Sequence, residues 1–275
     1  MFIWSKLTGS HKTIWIRTGS LITVLVFLCL PQIAAGGSLV WEMVDLTRGF
    51  EGCDPQGQAD SCTYITYRFP AIMEGPNNMI VEALRSDVRR FLYDQGNYTD
   101  KDFYGIRDRL FRDFELFRNE FPDSALAWFI EKEVGVIHLT DRVVTLAKRS
   151  DTYFGGAHPV ELRYFTSFDL GTGEPIRIQD LLLQGAIPRV ITHAEEKFRK
   201  MKGLEPGAPY GESFFFPDGR FRLSDNMALT PNGLLFYYNV YQIEPYAMGP
   251  TELFIPYSEL RGMTVSTGPL GYLSD

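Results

Sequence analysis

Residues 127–174 read AWFIEKEVGVIHLTDRVVTLAKRSDTYFGGAHPVELRYFTSFDLGTGE, and this stretch decides the fold. Two strand-like runs, 127–139 and 142–153, meet across a tight turn at Thr140-Asp141. Beyond Gly155-Gly156 a third run, 160–169, ends in the turn Gly171-Thr172-Gly173. Consecutive strands joined by such short turns prescribe an antiparallel meander.

Working upstream, 39–46 and 62–69 also read as strands, and Thr63, Ile65, Tyr67 and Phe69 share one face of the second. From Asn78 the apolar period becomes helical. Ile80, Leu84, Val88 and Phe91 line one face, while Arg85, Asp87 and Arg89 point elsewhere. A second helix is expected from Thr99, capped by Thr99 with Asp102 three residues on, burying Ile106, Leu110, Phe114 and Phe117. Downstream, 187–201 forms a third helix that buries Val190, Ile191, Ala194, Phe198 and Met201. A hairpin turns at Thr230-Pro231-Asn232-Gly233, and a last strand, 251–255, precedes a short helix at 257–260. Antiparallel strands with three main interspersed helices make an α+β class, arranged as two closely packed subdomains, 37–150 and 151–275.

The chain has 275 residues, 45% of them hydrophobic, enough to bury a sizeable core. Its net charge of −7 repels phosphate backbones and argues against nucleic acid as a partner. At the N-terminus, Lys6, Lys12 and Arg17 precede an apolar run, 21–30, and then the small residues Ala34 to Gly37. That layout is a secretory signal over 1–36. The alternative is an uncleaved anchor, although Arg17 and Pro31 leave the run short of the roughly 20 residues that a spanning helix needs. Contact with a membrane is expected only in that second case. Cys29 follows Leu28 rather than a small residue, which disfavours lipidation. Cleavage removes three positive charges and no negative ones, taking −7 to −10. It also leaves Cys53 and Cys62, whose simplest state in a periplasmic or secreted protein is a disulfide closing a polar loop. His138, His158 and His193 are too scattered for a metal site, and nothing calls for a cofactor.

Tyr153-Phe154-Gly155-Gly156-Ala157-His158-Pro159, then Phe168-Asp169-Leu170, Gly171-Thr172-Gly173-Glu174 and Ile178-Gln179-Asp180-Leu181-Leu182, resemble the C-terminal domain of the anti-sigma-V factor (RsiV) family. The same domain type precedes the catalytic module in PdaC-type peptidoglycan deacetylases. The closing segments 241–249 and 255–260 match that family's last motif, so the resemblance covers about 150–262. Tyr67-Arg68-Phe69-Pro70 before the first helix is similar to the companion N-terminal domain of such proteins. The resemblance implies an extracytoplasmic binding unit. The anti-sigma members sense lysozyme outside the membrane, but the segment before the apolar run is too short for a sigma-binding domain. No His and Asp constellation of a deacetylase follows residue 262.

The expected activity is therefore non-catalytic recognition of a cell-envelope component or of a cationic protein such as lysozyme. A peptidoglycan-binding module is the alternative, and a cell-wall hydrolase or deacetylase a weaker one, since no Gly-x-Ser-x-Gly motif is present. Ligand-contact candidates are Tyr153, Gly155, Gly156, His158, Tyr241, Glu244 and Tyr246. Each has a bland reading beside it. Gly155 and Gly156 permit positive φ, His158 can bond backbone within the bend, and Glu244 can accept N–H bonds in its own loop. Phe214-Phe215-Phe216 cannot all face one side of a strand, so at least one ring needs cover from another element or a partner. Glu131 and Glu133 share a strand face and read as solvent-exposed.

Overall fold

A computed structural model describes residues 39–58, 61–94, 99–124 and 126–273. The expected signal segment, 1–36, lies outside the described residues. In chain order the elements are β1 (Val40–Gly49), α1 (Pro55–Gln58), β2 (Tyr64–Glu74), α2 (Asn78–Tyr93), α3 (Phe103–Glu120), β3 (Phe129–Leu139), β4 (Val143–Tyr153) and β5 (Val160–Asp169). The chain continues through α4 (Ile178–Leu181), α5 (Ile187–Lys202), β6 (Met227–Leu229), β7 (Gly233–Tyr238) and β8 (Thr251–Pro256). The class is α+β, with a five-stranded sheet ordered β1-β2-β3-β4-β5 and a three-stranded sheet ordered β6-β7-β8.

The meander β3-β4-β5 is antiparallel throughout, as its turns require. The β2–β3 pair departs from the antiparallel expectation. These strands run parallel, Tyr64 opposite Phe129 and Arg68 opposite Glu133, because the chain crosses over through α2 and α3 before returning. Both helices lie on one face of the large sheet. Ile80, Leu84, Phe91, Ile106 and Leu110 pack there against Ile65, Tyr67, Ile130, Val134 and Leu146.

Three details differ from the sequence reading. Helix α3 is capped by Asp102, whose Oδ1 accepts from the Tyr104 and Gly105 amides, so the helix starts after Asp102 and not at Thr99. Asp87 is buried, not solvated: its carboxylate meets the Lys148 ammonium at 2.7 Å beneath α2. Met201 is exposed, because α5 turns only Val190, Ala194 and Phe198 fully inward.

The second core lies between α5 and the small sheet, where Phe198 packs against Tyr210, Phe214, Phe216 and Phe221. Phe215 is the ring of its triplet left exposed. Strand β4 runs through position 150 and β5 pairs along it, so 151–169 belong by hydrogen bonding to the large sheet. At its outer edge β5 meets side chains in place of a further strand. Asn239 Oδ1 accepts from the Arg163 amide and Asn226 Oδ1 from the Phe165 amide, while both Asn Nδ2 groups donate to the Arg163 carbonyl.

Candidate functional site

Two regions bear on function, and the sequence singled out only one. In the first, the turn after β4 brings Tyr153 Oη to donate to the Gly156 carbonyl at 2.9 Å. Gly155 sits at φ +82°, the left-handed conformation that favours glycine, and a Cβ there would crowd Trp128 Nε1 at 3.1 Å. Gly156 has open space around it. His158 Nδ1 faces the Pro159 carbonyl oxygen at 2.9 Å and so carries the proton. Its ring stacks on Tyr246 with centroids 3.5 Å apart and planes 16° from parallel. Tyr246 Oη donates to the same Pro159 carbonyl, which fixes the stack. Tyr241 adds a third ring 5.5 Å from Tyr246. It is 56% exposed and held at φ +64°, a left-handed conformation costly for a side chain with a Cβ.

The structure thus joins three of the predicted residues, His158, Tyr241 and Tyr246, into one ring platform whose outer ring, Tyr241, is exposed while the other two are half-buried. Glu244, in the same loop, turns the other way. Only 2% exposed, it accepts from Thr251 Oγ1 at 2.6 Å and pairs with Lys202 Nζ at 2.6 Å, tying the loop to β8 and α5.

The second region is the face of the large sheet that carries no helices. Register stacks its side chains in rows. Tyr64, Phe129 and Tyr153 form an aromatic row across β2, β3 and β4, with centroids 5.6 and 6.2 Å apart. Below it Glu131, Asp151 and Glu161 stand directly opposite one another. Like charges in such positions destabilise a sheet. Arg149 offsets them, reaching Glu131 at 3.1 Å, Asp151 at 3.5 Å, Glu133 at 3.6 Å and Glu161 at 3.8 Å. Tyr64 Oη donates to Glu131 at 2.7 Å. Asp151 keeps one buried oxygen, Oδ1, with no partner among the described residues. Burial pushes its carboxyl above the usual range, Arg149 pulls it down, and Glu161 and Glu131 push it up again.

Period-two reading puts Glu131 and Glu133 on one face, but the rows exist only once strand register is known. Next to them the β7–β8 sheet and the Thr230-Pro231 turn roof a cleft of about 750 Å³ over β3–β5. Its floor includes Gly135 and Ala147, which are opposite one another. A bulge between Val136 and His138 leaves Ile137 on its wall. Among the described residues no group of three His, Cys, Asp or Glu side chains is placed to hold a metal ion.

This architecture, a helix-backed mixed sheet with a small antiparallel sheet packed beside it, defines an α+β protein whose exposed features are a ring platform and an open cleft. Residues 179–258, from α4 to just past β8, match the family described as "Protein of unknown function (DUF3298)". No match is found among curated proteins. Among solved structures, a DUF3298 member from Bacteroides fragilis superposes with TM-score 0.65 at 19% identity, covering 87% of this chain and 98% of its own. A DUF3298 family protein from Pseudomonas aeruginosa gives TM-score 0.59 at 20% identity, covering 82% and 94%. At such identities the likeness establishes the shared fold. Tyr241, Glu244 and Tyr246 fall inside the matched segment, whereas the Tyr153–His158 turn precedes it.

Proposed function

We propose that this chain is a non-catalytic binding protein, periplasmic or secreted, that recognises a cell-envelope component or a cationic protein such as lysozyme, in the manner of the RsiV family it resembles. The observation that carries this reading is the His158–Tyr246–Tyr241 platform. The exposed Tyr241 ring, held at a backbone cost beside the half-buried His158–Tyr246 stack, suits a ligand that covers it. A guanidinium or ammonium group over a tyrosine face gains about 0.5–1 kcal/mol at an exposed site. The net charge of −7 would speed encounter with a cationic partner. A Cys53–Cys62 disulfide suits an oxidising compartment.

The test is capture of the purified protein on immobilised lysozyme and, in parallel, on insoluble peptidoglycan, at low and high salt. Lysozyme capture that weakens with salt and falls roughly tenfold in Tyr241→Ala and Tyr246→Ala is expected. The flat ring faces also suit sugar rings, which supports peptidoglycan as a second reading. Retention on peptidoglycan alone, surviving high salt, would replace the first reading with the second, and retention on neither would remove both.

A further inference from the structure

The roofed cleft on the large sheet is chemically divided. One wall is apolar, built from Ile137, Phe165 and Leu235, and its volume of about 750 Å³ falls in the range of small-ligand sites, roughly 300–1,000 Å³. The other side carries Glu133, Glu161 and Glu252 together with Arg149 and Arg163. The two arginines are not equivalent. Arg149 is surrounded by four carboxylates, while Arg163, directly opposite it on β5, engages Glu161 through Nε at 2.8 Å. That geometry leaves the terminal guanidinium nitrogens of Arg163 to a ligand anion. Glu252, exposed on β8, has no ion-pair partner among the described residues.

Tyr237 backs the apolar wall. It shares the cleft-facing side of β7 with Leu235, and its ring meets Phe165 at 5.7 Å. The residue as a whole is 2% exposed, so its ring serves as that backing. Burial pushes this phenol up to about 12, while Arg163 lowers it and Glu252 and Glu161 raise it, so the hydroxyl lies within the field of the cleft's own charges.

We propose that this cleft binds a short zwitterionic peptide, its carboxylate on Arg163, its ammonium group on Glu252 and its apolar body against Phe165 and Leu235. The site is separate from the ring platform and goes beyond the reading given above. Peptides of this chemistry come from two sources, cell-wall stem peptides ending in D-alanine and ordinary L-peptides.

Titration calorimetry on the full described protein uses L-Ala-L-Ala-L-Ala, L-Ala-D-Ala-D-Ala, and both with the N-terminus acetylated and the C-terminus amidated. At least one free peptide binds, and binding falls roughly tenfold or more in Arg163→Gln, in Glu252→Gln and with the blocked forms. Preference for the D-terminated peptide assigns the wall source, and preference for the L-peptide the other. Gly135→Leu is a second variant. A Cβ there meets nothing within 4 Å, so the position admits a side chain, and leucine should fill the floor of the cleft and abolish binding. Absence of binding by either free peptide, equal binding of blocked and free forms, or unaltered binding by Gly135→Leu overturns the proposal. Lysozyme capture by Arg163→Gln reports separately on the platform, which that substitution leaves intact.

Discussion

Lys132 and Lys148, on neighbouring strands, point into the helix-covered face of the large sheet, each only 6% exposed. Lys148 neutralises Asp87 and also donates to Thr166 Oγ1. Lys132 Nζ donates to the Phe91 and Leu92 carbonyls at 3.0 and 2.8 Å, satisfying acceptors that the last turn of α2 leaves open. Burial lowers the Lys132 ammonium to about 8, against an ordinary 10.5. Between those values the unfolded chain holds a proton that the folded chain has released, so this residue adds stability as pH rises through the window. The buried tyrosines act in the opposite sense. Their raised folded values make stability fall once unfolded tyrosines ionise, above about pH 10. Urea unfolding at about pH 7 and about pH 9.5 should show a larger stability gain in the wild type than in Lys132→Met, which keeps only the same-sign contribution of Lys148. Identical pH dependence in both proteins would show that Lys132 does not titrate in this range. Neither lysine was legible in the sequence. An acid on α2 and a helix end become their partners only after the crossover has folded back.

Turns carried the element-scale reading. Thr140-Asp141, Gly155-Gly156 and Thr230–Gly233 fix antiparallel neighbours locally, and the strands they join fall where the sequence puts them. The β2–β3 pair has no such turn, since a parallel partner is chosen by how α2 and α3 pack, which is not a local property. The ring platform follows the same logic. Its residues stood out individually, but 158 and 246 meet only because the loop after β7 returns beside the β4–β5 turn. Asn226 and Asn239 are the least legible parts, as polar loop residues with nothing local to mark them. Asn226→Leu removes a donor and an acceptor from the β5 edge and should cost about 1–3 kcal/mol. Denaturation measures that loss, and hydrogen exchange should rise at the Arg163 and Phe165 amides while the centre of the sheet stays protected. Unchanged exchange at both amides would mean that water replaces the side chain without penalty.

For the whole molecule, the disulfide closes the connection between β1 and β2, and Phe50 within it packs edge-on against Phe111 and Phe114 of α3. Reduction, or Cys53→Ser with Cys62→Ser, should lower unfolding stability by about 2–3 kcal/mol on the chain-entropy model, measured as a shift in the denaturation midpoint. A midpoint indifferent to reductant would show that packing alone holds this connection. The asparagine clamp has a consequence in time. Residues 226 and 239 follow β5 in the chain and emerge after it during the proposed export, so the large sheet can form while its last strand still offers unpaired amides and carbonyls. During that interval the nascent chain is a template for any passing strand. A truncation ending after β5 would fix that vulnerability permanently and should self-associate, which makes the C-terminal half a built-in chaperone for the edge of the N-terminal one.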